Sequence, residues 1–164
     1  VSKATRSPPG EPGLVFNINV SECKFAAVEN RDYVVLDGML KTWRKNNAEL
    51  KLSGALLLCD GAFVHLLEGT PAQVRKMRKR VEADPLHTNV RNLSERSCLK
   101  RRFSSWPLAY VGPSRWVQRA LKNHELAAME PDSPDEAEFL VDLILSFVGD
   151  DPGNATELSL PAWV

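Results

Sequence analysis

Three histidines are the residues of this 164-residue chain that could suggest a metal site, and their spacing argues against one. His65 falls in an apolar run, His87 in a loop segment and His124 in a separate helical segment. No two of them share the i, i+4 spacing that sets ligands on one helix face, so no metal site is expected. His65 reads instead as a core or slot residue with one satisfied hydrogen bond. Cys23, Cys59 and Cys98 are odd in number and far apart, which suits neither a disulfide framework nor a metal cluster. Free thiols in a reducing compartment are the expectation. There is no nucleophile elbow, no glycine-rich phosphate cradle and no arginine in a short anion loop. An enzyme is therefore not expected.

Charge narrows the partners. Lys+Arg 21 balances Asp+Glu 21, so no global field draws the chain to nucleic acid or to an anionic membrane. Aromatic residues at 7% leave few stacking platforms for bases, which further disfavours nucleic acid. Locally, Arg75, Lys76, Arg78, Lys79 and Arg80 form a basic run, and Lys100-Arg101-Arg102 forms a second. Each can be a solvated face or a docking surface for an acidic protein, with Arg75, Arg78 and Lys79 the candidates on the first. Trp43, Trp116, Trp163 and the apolar stretch Phe139–Val148 exceed what a small sheet needs. Aromatic anchors of that kind suit protein interfaces, which singles out Trp116, Phe139 and Trp163. No apolar run of about 18 residues is present, so no membrane span is expected. The opening "VSKATRSPPGEPG" lacks the apolar core of a signal peptide, and a cytoplasmic location is the expectation. Asn19, Asn92 and Asn154 head glycosylation sequons, but the first two fall in expected strands and read as chance matches.

These residues must be positioned by a regular framework, and its elements are legible. "LVFNINVSE" (14–22) is apolar and β-branched, a first strand. Leu36, Met39, Leu40 and Trp43 recur at helical spacing, with Asn30 or Asp32 as N-cap. "LSGALLLC" (52–59) and "FVHLLEG" (63–69) flank Asp60-Gly61, a hairpin signal because both turn positions need positive φ. A second helix opens with Thr70 as cap, Pro71 at its first position and Gln73 completing a capping box. Val74, Met77 and Val81 make its buried stripe. Residues 89–99 and 108–112 read as two further strands. The order β-α-β-β-α-β-β gives an α+β, ferredoxin-like mixed sheet with two helices on one face. Helices over 114–126 and 133–148 follow, the second opened by a Ser133–Glu136 capping box.

The pieces "NNAELKLSGALLLCDGAFVHLLEG", "VRKMRKRVEADPLH" and "RRFSSWPL" resemble, in order and spacing, the BLUF domains that sense blue light with FAD bound between two helices. The resemblance covers residues 46–110. It implies that Asn47 matches the family's flavin-contacting asparagine and that His65 stands where the photoactive glutamine would. The family's electron-donating tyrosine is matched by Asn19, or by Cys23 if no insertion is assumed. Leu86 replaces a basic residue of the family, Trp106 is kept, and Leu108 replaces a methionine. Were a flavin retained, Asn47, His65, Trp106 and Leu108 would be its contacts. Histidine cannot undergo the tautomerisation of an amide, and the donor is missing.

The implied organisation is an arm over 1–13, a BLUF-like domain over 14–112, a helical extension over 113–148 and a tail over 149–164. The expected function is a non-photoactive BLUF-like structural or protein-interaction module of a larger assembly, without cofactor. Likeness to the testis-expressed BLUF-fold family of sperm suggests the ciliary axoneme. The alternative is a flavin-binding blue-light sensor, with FAD or FMN, using an altered hydrogen-bond switch at His65.

Overall fold

The computed structural model describes residues 13–24 and 33–148. Residues 1–12 of the arm, the caps expected at Asn30 or Asp32, and the tail with Trp163 lie outside the described residues.

Strands β1 (Val15–Cys23), β2 (Ser53–Cys59), β3 (Ala62–Gly69), β4 (His87–Ser97) and β5 (Ala109–Val111) form one sheet in the order β4-β1-β3-β2-β5. Neighbours run antiparallel except β2 and β5, which are parallel, so the sheet is mixed as expected. Helix α1 (Tyr33–Glu49) joins β1 to β2, and α2 (Pro71–Ala83) joins β3 to β4. Asp60 and Gly61 both adopt positive φ, 49° and 71°, which lets the two-residue turn match the twist of its strands. Gly54 is required by close approach: a Cβ there would lie 2.0 Å from the Leu66 carbonyl oxygen across the hairpin. The Thr70–Gln73 capping box forms, with the Thr70 N–H donating to Gln73 Oε1 at 2.8 Å.

Strand alternation sorts the core into two sides. Leu56, Leu58 and Phe63 face α1 with Leu36 and Leu40, while Val15 and Leu67 face α2 with Val74 and Met77. Phe16, Ile18, Val20, Leu57, Val64 and Leu66 point the other way. That second face is not open. It is covered by helix α3 (Arg115–Ala120), a short 3₁₀ turn (Leu126–Ala128) and helix α4 (Pro134–Val148), whose Leu140, Val141 and Ile144 are fully buried against it. The apolar stretch that suggested a gripping surface is thus largely used within the chain.

Three expectations change. His87 opens β4 rather than lying in a loop, and the segment 114–126 is helical only over Arg115–Ala120 before the 3₁₀ turn. At the start of α4 the Ser133 hydroxyl donates to the Glu130 carbonyl at 2.7 Å, so the reciprocal pair with Glu136 is not made. Serine hydroxyls readily bond nearby backbone in this way.

Candidate functional site

The helix side of the sheet carries a slot between α1 and α2, with a cavity volume of about 220 Å³. From α1 come Thr42, Trp43, Asn46 and Asn47; from the sheet, Leu56, His65 and His87; from the segment entering β5, Leu108; from α2 and its exit, Met77, Arg80, Val81 and Asp84. Complete ligand pockets run to about 300–1,000 Å³, so this one suits a ring system with its substituents outside.

His65 is 8% exposed, and its Nδ1 is buried with no hydrogen-bond partner. Burial, and then the neighbouring His87, push its pKa down to about 3, so the imidazole is neutral at ordinary pH. A neutral imidazole has one N–H donor and one acceptor, and leaving a buried polar atom unpaired costs about 1–3 kcal/mol. A ligand reaching Nδ1 would offset that cost. The expected satisfied hydrogen bond of His65 is therefore missing at this atom.

His87 sits beside it with Nδ1 2.8 Å from the Ser21 hydroxyl. Burial lowers its pKa, opposed by the carboxylate of Asp84. Trp43, Phe63 and His87 form an aromatic wall, with the Phe63 and His87 rings 4.6 Å apart and Trp43 edge-on to Phe63 at 6.1 Å.

The C-terminal half of α1 is tied to the segment entering β5. Asn47 Nδ2 donates to the Pro107 carbonyl at 2.7 Å, and Arg44 Nε donates to the Leu108 carbonyl at 3.1 Å. The segment before it is held by Glu68, a fully buried carboxylate at the end of β3. It accepts from the Ser53 hydroxyl at 2.8 Å and from the backbone N–H groups of Arg102 at 2.6 Å and Phe103 at 3.0 Å. These bonds set the height at which Leu108 enters the slot.

The structure brings Asn47, His65 and Leu108 together, but not Trp106. That ring packs in the core on the opposite side of the sheet, at 8% exposure, because it precedes β5 on the side away from Leu108. The register also separates the two first-strand candidates. Asn19 pairs directly with His65 across β1 and β3, whereas Cys23 pairs with His87 at the far end. Asn19 Nδ2 is engaged by Asn17 Oδ1 at 2.6 Å. The slot lining among the described residues holds no tyrosine.

Sequence reasoning missed Trp43, Arg80 and Asp84 as slot residues. Met77 and Val81 were legible as a buried stripe, but not as a wall. Of the interaction candidates, Arg75 and Lys79 are exposed, while Arg78 reaches Glu95 at 3.5 Å and Glu82 at 3.9 Å. Trp116 is 72% exposed. Phe139 is partly buried and stacks on His124 with ring centroids 4.0 Å apart, so it is not a free anchor.

Residues 16–109 match the family described as sensors of blue-light using FAD. The chain belongs to the BLUF family. A photoactivated adenylate cyclase subunit beta of Euglena gracilis is 29% identical over 96 residues, which is 58% of this chain and 10% of that protein. The Euglena longa subunit is 26% identical over the same length. The chain thus spans about a tenth of the length of the curated relatives it matches. Among solved structures, BlsA in its photo-activated state superposes with a TM-score of 0.66 at 21% identity, covering 84% of this chain and 99% of that one. The BLUF protein BlrB in its dark state gives 0.66 at 22% identity, covering 82% and 96%. These likenesses establish the BLUF fold.

The residues present fit a flavin ring in part. The slot between α1 and α2 presents an unpartnered His65 Nδ1 and the Asn47 side chain, polar groups that suit the edge of such a ring. Opposite His65 on β1 stands Asn19, which is not a phenol.

Proposed function

We propose that this BLUF domain keeps a ring-binding slot but does not run the family's tyrosine–glutamine light reaction, and that it serves as a protein-interaction module of a larger assembly. The observation that carries the first part is the β1–β3 register, which sets Asn19 against His65. Neither side chain is a phenol, and only one of them is an amide, on the wrong strand for the switch. A bound flavin would supply a blue-absorbing ring. Asn47 and His65 would orient its polar edge, while Leu56, Met77, Val81 and Leu108 exclude water from its faces.

The interaction part is supported by the exposed Trp116 and by the basic outer face of α2 at Arg75 and Lys79. An acidic protein fits such a face by charge. A second reading, a blue-light sensor with an altered hydrogen-bond switch, is favoured by the unpartnered Nδ1 of His65.

Titration with riboflavin, followed by its fluorescence and absorption, tests the slot. Saturable binding that Leu108→Trp abolishes, with the fold intact by circular dichroism, is expected. Absence of binding to the parent protein would overturn the slot reading.

A further inference from the structure

The chain is neutral overall, with Lys+Arg 21 against Asp+Glu 21, but its charges are not evenly spread. On α2, Arg75, Lys76 and Lys79 are exposed and make no ion pair among the described residues, and the acid of that helix, Glu82, pairs with Arg78. Arg75 and Lys79 stand one helical turn apart, where like charges repel. From Glu125 to Asp135, by contrast, there is no lysine or arginine. Glu125, Glu130, Asp132 and Asp135 are exposed there and likewise make no ion pair among the described residues.

Within one copy the sheet lies between the two charge groups. Val74 and Met77 seat α2 against Val15 and Leu67 on one face, whereas Leu126, Met129 and Ala137 bury the acidic segment in the core on the other. Both groups nevertheless border the same strand. β4 is an edge of the sheet, paired with β1 alone among the strands. From α2, Arg78 reaches Glu95 on β4 at 3.5 Å. From the other face, the Asp132 N–H donates to the Asn92 carbonyl at 3.1 Å, and Arg91 of β4 donates to the carbonyls of Ala127 and Leu126.

An edge flanked by opposite charges on its two faces is self-complementary about a two-fold axis lying in the plane of the sheet. Such an axis turns the second copy over, so the basic helix of each copy comes against the acidic segment of the other. We propose that the chain forms a closed two-fold dimer across β4, in which Arg75, Lys76 and Lys79 of each copy meet Glu125, Glu130, Asp132 and Asp135 of the other. This rests on the reading above that the basic face of α2 docks an acidic protein, and it identifies that protein as a second copy of this chain. The same arrangement shields β4, an edge strand of 11 residues, from unwanted strand addition.

The test is sedimentation equilibrium of the full chain. The parent protein is expected to be a dimer at low salt and to dissociate as salt screens the contacts. The double variant Arg75→Glu, Lys79→Glu and the double variant Glu125→Lys, Glu130→Lys should each weaken self-association by about tenfold or more, because the altered contacts set like charges together. Asp132 is kept because its φ of 57° suits aspartate better than lysine. Mixing the two double variants should restore a one-to-one dimer, since both of its contacts again join opposite charges. A monomeric parent at low salt, assemblies that grow beyond two copies, a dimer that neither salt nor the reversals weaken, or reversed variants that fail to pair when mixed would overturn the proposal. If a monomeric parent still binds poly-glutamate, and Arg75→Glu, Lys79→Glu does not, the acidic-partner reading survives without the dimer. Without that binding both fall.

Discussion

At the scale of single residues, the two buried polar side chains of β3 do opposite things. Glu68 is satisfied by one hydroxyl and two backbone N–H groups, and it fixes the segment that leads to β5. Glu68→Ala leaves those donors unpaired, and a loss of about 3 kcal/mol is expected in urea unfolding. His65 keeps an unpartnered atom and resists protonation to about pH 3. The unfolded chain binds a proton near the ordinary value of 6.5, so stability from this group is complete above that pH and is lost as pH falls. Between about pH 6.5 and 5 the parent protein should lose about 2 kcal/mol more than His65→Gln, in which this titration is removed. His87 shifts the same way but is present in both proteins, so parallel curves would contradict the assignment to His65.

At the scale of elements, the second face of the sheet decides how α4 is held. Leu140 and Ile144 are fully buried there, while Glu138 bridges Arg96 and Arg102 at a side-chain exposure of 40%. Exposed ion pairs are worth about 0–1 kcal/mol, whereas emptying a buried leucine site costs about 2–5 kcal/mol. Leu140→Ala should therefore destabilise by about 3 kcal/mol and Glu138→Gln by less than about 1 kcal/mol, read by thermal or urea unfolding. Comparable losses would mean that the ion pairs, not the packing, dock the helix.

Much of this framework was legible in the sequence, because its signals are local. Asp60-Gly61 demands a turn, Thr70-Pro71-Ala72-Gln73 starts a helix, and apolar, β-branched runs mark strands. The face covered by α4 was not legible: an apolar helix stripe states that it must be buried, not against what. The slot was half legible. Asn47 and His65 follow from resemblance, but the opposition of Asn19 to His65 is a property of register, which no local pattern fixes. The placement of Trp106 behind the sheet and of Trp43 and Arg80 at the slot depends in the same way on three-dimensional packing.

At the scale of the whole molecule, a five-stranded sheet with helices on both faces holds a slot between α1 and α2. No helix among the described residues is long and apolar enough to cross a membrane. What the domain offers outward is a basic face on α2 and the exposed Trp116, and inward a neutral imidazole facing an apolar cavity. On the proposed reading, ring binding and light sensing have come apart here. The measurement that tests this most directly is a light-minus-dark absorption spectrum of the protein saturated with FMN. Flavin bands that blue light does not shift are the predicted result. A red shift that forms under blue light and decays in the dark would contradict the reading, and would make His65 the residue that carries the switch.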